Sequence, residues 1–336
     1  MSATGIIRVV VTAASLAVVA SPLGAQAPVI QEFPVPWERT RPRDPWVDRE
    51  GNVWFVGQTG HYVARFDPRT QQFQRFDLEQ GAGPHNLIVD DRGMVWYSGN
   101  LRGYIGRLDP RDGSITRFPM PDSTVRDPHT LIFDRNGDIW FTAQQANVIG
   151  KLTVSTGQIR LVRPSVPRAR PYGIVMDPRG ERPWIVLFGT NRIATVDPRS
   201  FELTEYEIPR PEARPRRLAV TSDGAVWYGD YAAGMLGRFD PASRQFEEYP
   251  LPSGQRSGPY AMTVDDQDRI WVVETRVQPN QFVGFDSRTR RVVATAPVPS
   301  GGGAVRHMFF HRPTRTIWFG TDTNQLGRGQ VSSPVP

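Results

Sequence analysis

Short apolar segments alternate with polar turns along most of the chain. In the stretch 83–119, four apolar segments occupy residues 86–89, 94–98, 104–108 and 114–118, and each is rich in β-branched or aromatic residues. Asp, Gly, Arg and Pro separate the segments, and these are turn-forming residues. The pattern therefore predicts four short strands within a single unit of the chain.

This four-strand pattern recurs along the chain, and a tryptophan in the second strand marks each copy. The marker tryptophans are Trp54, Trp96, Trp140, Trp184, Trp227, Trp271 and Trp318. A period in the forties with four strands per period is typical of β-propeller blades. The sequence predicts an all-β fold, a seven-bladed β-propeller of four-stranded blades, with the tryptophans packed between blades.

The two ends of the repeat region complement one another. The last repeat has apolar segments at 308–310, 317–320 and 325–331 but no fourth, whereas residues 31–36 resemble the fourth strands of other repeats. We expect this N-terminal strand to pair into the last blade and close the ring. Closure removes exposed strand edges, which otherwise favour aggregation.

The first residues do not follow the repeat. Arg8 precedes an apolar stretch over residues 9–23, and small residues follow at 23–27. This pattern predicts a signal peptide at residues 1–25 and a single propeller domain at 26–336. An uncleaved membrane anchor is the alternative, but the apolar stretch is short for a spanning helix. We expect an exported protein, periplasmic or extracellular.

The amino-acid composition excludes several kinds of functional site. The 336 residues include no cysteine, which excludes disulfides, thiol nucleophiles and thiolate zinc sites. The net charge is +6, but the arginines are scattered and Lys151 is the single lysine, so nucleic-acid binding is not expected. We expect a monomer that binds a small molecule and has no transmembrane domain once the signal peptide is removed.

Candidate functional residues lie at the start of each first strand, where six of the seven follow a proline. In a propeller these positions surround the central channel, and here they hold large polar side chains that differ from repeat to repeat. The set is Arg43, His85, His129, Tyr172, Arg216 and Tyr260, with Arg306 or His307 as the seventh. Such residues can simply solvate a channel, and for the two tyrosines this or substrate packing is the favoured interpretation. The histidine pair could supply a general base near neutral pH.

Further polar residues are expected on the same face. The loops after the tryptophan strands contribute Gln58, Asn100, Gln144, Asp230, Glu274 and Asp322. Asp127 adds a carboxylate two residues before His129. A histidine pair with one carboxylate and one amide could hold a hard divalent ion whose shell is completed by water.

The repeat itself resembles that of a known family. Residues 127–142 read DPHTLIFDRNGDIWFT, and other repeats continue with I-G-R-L and E-Y-P-L-P elements. These motifs resemble the virginiamycin B lyase (streptogramin lyase) family over essentially the whole chain after the signal segment. The resemblance implies opening of a cyclic depsipeptide at its ester bond without water. In that chemistry a base removes the proton α to a carbonyl while Mg²⁺ stabilises the enolate.

The resemblance also implies roles for particular residues. His85 corresponds to a substrate-binding histidine and His129 to the general base. Asp127 and Gln144 correspond to magnesium ligands, although Gln144 stands where the family has a glutamate, and an amide brings no charge to the ion.

Two functions from different classes remain open, with a third alternative. The first is an exported, Mg²⁺-dependent carbon–oxygen lyase that opens an ester or lactone by elimination. The second is a non-catalytic propeller that binds an anionic small molecule or a partner protein through Arg43, Arg216 and Arg306. The third is a gluconolactonase-type lactonase, which needs a calcium ligand set that the sequence does not clearly provide.

Overall fold

Seven four-stranded antiparallel sheets make up the computed structural model, which describes residues 27–332. Each sheet is one blade, so the predicted all-β seven-bladed propeller is confirmed. The signal peptide predicted at residues 1–25 lies outside the described residues.

The blades follow the sequence repeat closely. Blade one comprises β2 (Pro42–Val47), β3 (Val53–Gly57), β4 (Tyr62–Asp67) and β5 (Gln72–Asp77). Blade two comprises β6 (Pro84–Val89), β7 (Val95–Gly99), β8 (Tyr104–Leu108) and β9 (Ile115–Pro119). Blade three comprises β10 (Pro128–Phe133), β11 (Ile139–Ala143), β12 (Val148–Thr153) and β13 (Gln158–Val162). Blade four comprises β14 (Pro171–Met176), β15 (Pro183–Leu187), β16 (Arg192–Val196) and β17 (Leu203–Glu207).

The remaining blades complete the ring. Blade five comprises β18 (Pro215–Val220), β19 (Val226–Asp230), β20 (Met235–Asp240) and β21 (Gln245–Pro250). Blade six comprises β22 (Pro259–Val264), β23 (Arg269–Glu274), β24 (Gln281–Asp286) and β25 (Arg291–Pro297). Blade seven comprises β26 (Met308–His311), β27 (Thr316–Gly320), β28 (Gln325–Gln330) and β1 (Val29–Pro34). Two short 3₁₀ turns occupy Gly254–Arg256 and Arg312–Thr314, and no helix within 27–332 is long and apolar enough to cross a membrane.

The N-terminal strand closes the ring as predicted. Strand β1 pairs antiparallel with β28, from Val29 opposite Gln330 to Pro34 opposite Gln325. Phe33 of β1 is buried, and its ring centroid lies 4.8 Å from that of Phe66 in blade one. Phe33 therefore joins the last blade to the first, and β1 covers the edge of β28 that would otherwise be unpaired.

Replacing Phe33 with alanine should lower the free energy of unfolding by about 3 kcal/mol, because it removes a buried ring from the closure. Chemical denaturation measures the change. The control Val29→Ala lies on the same strand but is 72% exposed, so it should alter stability little. Equal effects of the two changes would mean that β1 does not anchor the ring.

The seven marker tryptophans pack between blades. All seven are buried, and each belongs to an apolar cluster that includes residues of the next blade. Trp54, for example, packs with Leu87 and Tyr97, while Trp318 packs with Phe55 across the closure. The expected structural role of these rings is confirmed.

The turns before the tryptophan strands also hold the indole rings. The Trp54 Nε1–H donates to Asp48 Oδ2 at 2.8 Å, and Asp48 Oδ1 accepts the backbone N–H groups of Glu50 and Asn52. The same hydrogen bond, from an indole N–H to the aspartate six residues earlier, recurs at Asp90–Trp96, Asp134–Trp140 and Asp265–Trp271. In the fifth blade Thr221 takes the place of the aspartate and accepts the hydrogen bond of Trp227. One short polar side chain thus fixes both the turn and the core residue.

Candidate functional site at the channel mouth

A β-bulge lies at the start of the first strand in six of the seven blades. In blade two, Pro84 pairs with Gly99 but the next paired residue is Leu87, which faces Tyr97, so β6 carries one extra residue. The same register shift occurs in the other five first strands. Bulges redirect side chains, and here two successive residues per blade reach the axis, as their contacts across the ring show.

One residue at each of the six bulges, together with Arg306 before the first strand of blade seven, forms a layer that we call the mouth layer. Its members are Arg43, His85, His129, Tyr172, Arg216, Tyr260 and Arg306. The rings of His85 and His129 lie 3.6 Å apart between centroids, and those of His129 and Tyr172 lie 4.2 Å apart. The hydroxyls of Tyr172 and Tyr260 are hydrogen-bonded to each other. The structure therefore brings the predicted ring residues together as one continuous group.

Aromatic rings surround the guanidinium group of Arg216. Its Cζ lies 3.6 Å from the ring centroid of Tyr260, 4.4 Å from that of Tyr231 and 4.9 Å from that of Phe188. Its Nε is buried and has no hydrogen-bond partner within the described residues. Stacked arginines keep their in-plane N–H groups for a ligand, so Arg216 can bind an anion at this face.

The seventh position is resolved by its contacts. Arg306 belongs to the mouth layer, since its guanidinium pairs with Asp322 at 2.5 Å and its Cζ lies 5.8 Å from the Tyr260 ring. His307 lies one layer deeper, within electrostatic range of Asp44.

Apart from His307, sequence reasoning missed this deeper layer, which is made of Asp44, Asn86, Thr130, Arg217 and His307. Asp44 is fully buried and accepts hydrogen bonds from Asn86 Nδ2 at 3.1 Å and Arg217 at 3.4 Å. Arg217 also donates to Thr130 Oγ1 at 3.1 Å. Each member follows a mouth-layer residue directly in sequence, and that offset was the signal available to find it.

Asp44 accepts hydrogen bonds from residues of both the mouth layer and the deeper layer. The Nε–H of Arg43, a mouth-layer residue, donates to Asp44 Oδ1 at 2.9 Å. Burial opposes ionisation of Asp44, but Arg43 foremost, together with Arg217, holds the pKa of this carboxyl below its ordinary value. One carboxylate thus faces two buried guanidiniums, and the layers carry an excess of positive charge.

Burial, reinforced by that positive charge, keeps the imidazoles neutral. His85 and His129 are 6% and 2% exposed, and burial lowers the pKa of each well below the ordinary value. Arg43 and Arg217 lower both pKa values further. Both rings are therefore unprotonated at neutral pH, which is the form that a general base requires.

The predicted base, carboxylate and amide share one pocket. A pocket of ≈ 410 Å³ at the mouth is lined by His85, His129, Asp127 and Gln144. Asp127 Oδ1 accepts the N–H of Ala146 at 3.0 Å, its other oxygen accepts a neighbouring N–H, and burial raises its pKa. The four residues converge as the family resemblance implies, but the carboxylate already fixes a turn.

Magnesium binding stays a prediction, and the residues present do not fit a tightly held ion. No group of three His, Cys, Asp or Glu side chains in the part of the chain that the structure describes is arranged to hold a metal. Asp127 is the single carboxylate of the pocket, Gln144 is uncharged, and Arg126 adds positive charge to the lining. Magnesium requires several hard oxygen ligands, usually carboxylates.

Other polar loop residues have structural roles. Asp230 accepts the backbone N–H of Arg214 at 2.9 Å, and Glu274 accepts that of Ser253 at 2.9 Å, so both fix loops. Gln58 accepts a hydrogen bond from Arg43 at 3.0 Å, and thereby orients a mouth-layer guanidinium.

These features define a seven-bladed propeller with a cationic, histidine-containing site at one mouth of its channel. The family model described as the virginiamycin B lyase family matches residues 22–282, and the chain belongs to that family. A search of curated protein sequences finds no match to the chain.

Solved structures share the fold at low sequence identity. A streptogramin B lyase structure is 22% identical, with a TM-score of 0.81 over 91% of this chain and 98% of that chain. A catalytically inactive His-to-Ala virginiamycin B lyase from Staphylococcus aureus with quinupristin is 23% identical, with a TM-score of 0.81 over 91% and 100%. An extracellular domain from B. thetaiotaomicron is 17% identical, with a TM-score of 0.67 over 90% and 43%.

Tyr260 should ionise at unusually low pH. Burial opposes its ionisation, but Arg216 and the neighbouring arginines lower its pKa to about 8. Spectrophotometric titration should show one phenolate forming near pH 8, and Tyr260→Phe should abolish that transition. The control Tyr249→Phe should preserve it, because burial raises the Tyr249 pKa to about 12. A wild-type protein with no phenolate below pH 9 would contradict the assigned electrostatics.

Proposed function

We propose that the protein is an exported carbon–oxygen lyase that opens an ester or lactone in a small, negatively charged molecule by elimination. The observation that carries this proposal is the contact between His85 and His129, whose ring centroids lie 3.6 Å apart in a pocket that Arg126 also lines. Arg43 of the mouth layer is hydrogen-bonded to Gln58 in the lining of the same pocket. Membership of the virginiamycin B lyase family supports the reaction type. The named inactive histidine variant of a family enzyme is consistent with a histidine in the central role.

His129 is the proposed base. Its Nδ1 is hydrogen-bonded to Thr130 Oγ1 at 2.8 Å, and Thr130 is held in turn by Arg217. With the proton on Nδ1, the Nε2 atom keeps its lone pair for the substrate. Nε2 takes the proton α to the carbonyl, the C–H electron pair forms a carbon–carbon double bond, and the β-carbon–oxygen bond breaks. The leaving oxygen departs as a carboxylate, and no water is consumed.

Arginines supply the positive charge that this reaction needs. Proton removal places negative charge on the substrate carbonyl oxygen, and preorganised cationic donors lower the energy of such a state. Arg43 is anchored by Asp44 and Gln58, while Arg216 is held by stacking and keeps a free Nε. We assign Arg43 to the carbonyl oxygen and Arg216 to an anionic group of the substrate. No step is assigned to magnesium.

His85 and the tyrosines complete the pocket. His85 stacks against His129 and has a buried Nδ1 without a hydrogen-bond partner within the described residues. We assign His85 to substrate binding, as the family resemblance implies. Tyr172 and Tyr260 are 4% and 1% exposed, so they act mainly by orienting Arg216 and packing against the substrate.

Export follows from the predicted signal peptide, and the extracellular relative with the same fold is consistent with it. The propeller is expected to act as a monomer on a small molecule in the periplasm or outside the cell. Secretion of the full-length chain with loss of residues 1–25, read by N-terminal sequencing, tests this part of the proposal.

Product mass tests the reaction. A panel of lactones and acyclic esters, each with and without a carboxylate, is incubated with the protein and analysed by mass spectrometry. Elimination gives ring-opened lactones of unchanged mass with a new double bond, and the anionic members react faster. If arginines take the place of the metal, excess EDTA leaves the rate unchanged. If EDTA abolishes activity and Mg²⁺ restores it, a magnesium ion bound by Asp127 and Gln144 is supported instead. Products that gain one water would contradict elimination.

A second function is favoured by Arg216, whose Nε has no hydrogen-bond partner within the described residues. The mouth could bind an anionic ligand without chemistry, as a non-catalytic propeller would. In that case anionic members of the panel raise the melting temperature through Arg216, but no product forms with any substrate. Stabilisation together with product formation favours the lyase.

A further inference from the structure

The central channel continues below the deeper layer as a separate cavity. This cavity has a volume of ≈ 370 Å³ and is lined by the later residues of the first strands. None of its lining residues borders the mouth pocket. The layer of Asp44, Asn86 and Arg217 therefore divides the channel into a cationic mouth and a lower chamber.

The lower chamber has apolar walls. Trp46, Phe133, Met176, Val220 and Phe309 all line it, and each keeps part of its surface exposed to the cavity. The rings of Trp46 and Phe309 lie 4.5 Å apart between centroids, and together they form one wall. First-strand residues that face a water-filled propeller channel can be polar without any loss of stability. A wall of large apolar side chains in such a channel therefore indicates an apolar ligand.

The roof of the chamber is cationic and incompletely paired. Arg217 is 3% exposed, lines the chamber and has a buried Nε without a hydrogen-bond partner within 27–332. His307 also lines it, and its Nδ1 is likewise buried without a described partner. Arg217 shares the single carboxylate of Asp44 with Arg43. Buried polar groups are normally satisfied, and buried charges normally paired.

We propose that the lower chamber is a second binding site, for a small amphipathic carboxylate with an alkyl tail. The carboxylate accepts hydrogen bonds from Arg217 Nε–H and from His307, and it balances the excess positive charge of the roof. The tail lies against Trp46 and Phe309. The chamber volume falls within the range of small-molecule sites, about 300–1,000 Å³. This site is independent of the proposed lyase reaction at the mouth.

Octanoate binding to the full-length protein tests the proposal by isothermal titration calorimetry. Octanoate should bind at one site, and 1-octanol, which has the same tail without the charge, should bind at least about 10-fold more weakly. Val220→Phe fills the chamber and should weaken octanoate binding at least about 10-fold. The matched control Val292→Phe adds the same ring to an exposed position on β25, 39% exposed, and should leave binding unchanged.

Two arginine variants separate the chamber from the mouth. Arg217→Met should reduce octanoate affinity to the level of octanol, whereas Arg216→Met should leave it unchanged. Loss of octanoate binding in Arg216→Met but not in Arg217→Met would place the carboxylate at the mouth and overturn the proposal. Unchanged binding in Val220→Phe, or no octanoate binding to the wild-type protein, would also overturn it. Circular dichroism shows whether each variant folds. The comparison of Val220→Phe with Val292→Phe leaves the buried Arg217–Asp44 ion pair in place, so it tests the site independently of that pair.

Discussion

Replacing His129 with alanine should lower kcat/KM for the anionic ester by about 10²–10⁴-fold, the usual contribution of a general base. Nε2 of this ring is the proposed proton acceptor, and the ring is held by Thr130 at 2.8 Å. Because the loss concerns the reacting proton, it should fall on kcat rather than on KM. Steady-state kinetics on the best substrate of the panel measures both constants.

Matched histidine variants distinguish the base from its neighbours. His85→Ala should raise KM more than it lowers kcat, since His85 is assigned to binding. His311→Ala, which removes a histidine bonded to Thr314 away from the channel, should leave both constants unchanged. A His129→Ala protein with kcat within about threefold of wild type would remove His129 from the mechanism.

Mild acid should destabilise the protein steeply, by about 2 kcal/mol for each of three buried histidines between pH 6.5 and pH 4.5. His85 and His129 have pKa values well below the ordinary value, and burial together with Arg217 lowers the pKa of His307 to about 4. In this window the unfolded chain binds protons at these positions and the folded chain does not. The free energy of unfolding therefore rises with pH up to the ordinary histidine pKa and falls as the solution is acidified.

Denaturation at a series of pH values measures that slope. Each buried imidazole contributes about 1.4 kcal/mol per pH unit, so His85→Asn and His129→Asn should each flatten the curve while changing stability less at pH 8. An unchanged slope in the double variant would show that these rings are not held neutral by burial. The carboxylates titrate mostly below this window, which keeps the histidine contribution distinct.

The fold could be predicted almost completely from the sequence, for a physical reason. Six blades are local units of four consecutive strands. In four blades the turn that bonds an aspartate to the marker tryptophan is contained within six residues, as at Asp48 and Trp54. Ring closure was predictable as well, because residues 31–36 resemble the strand that the last repeat lacks, although β1 is in fact Val29–Pro34. Local repetition made both features visible.

The site was predictable only in part. The mouth positions were found because they vary while the scaffold repeats, and the structure brings His85, His129 and Arg216 into one layer. The deeper layer was not found, because its defining ion pair joins Asp44 to Arg217, 173 residues away. Contacts across the channel depend on the bulge that turns two successive side chains inward, and the available sequence signal was that each deeper residue directly follows a mouth-layer residue.

Ligand chemistry was the least predictable part. The motif around Asp127 implied a magnesium ligand, whereas the structure shows its oxygens accepting backbone N–H groups of the following loop. The arginine-rich character of the mouth follows from residues in three different blades. The sequence already indicated Arg43, Arg216 and Arg306 as candidates for binding an anion, and their convergence in one layer supports that proposal.

A crystal structure of the His129→Asn protein with the best substrate tests the central claim most directly, because this variant should bind the substrate without converting it. The account predicts that the substrate occupies the mouth pocket, with its anionic group on Arg216 and its α-carbon facing the side chain at position 129. A substrate bound outside the mouth layer, or bound there with its α-carbon turned away from position 129, would contradict it.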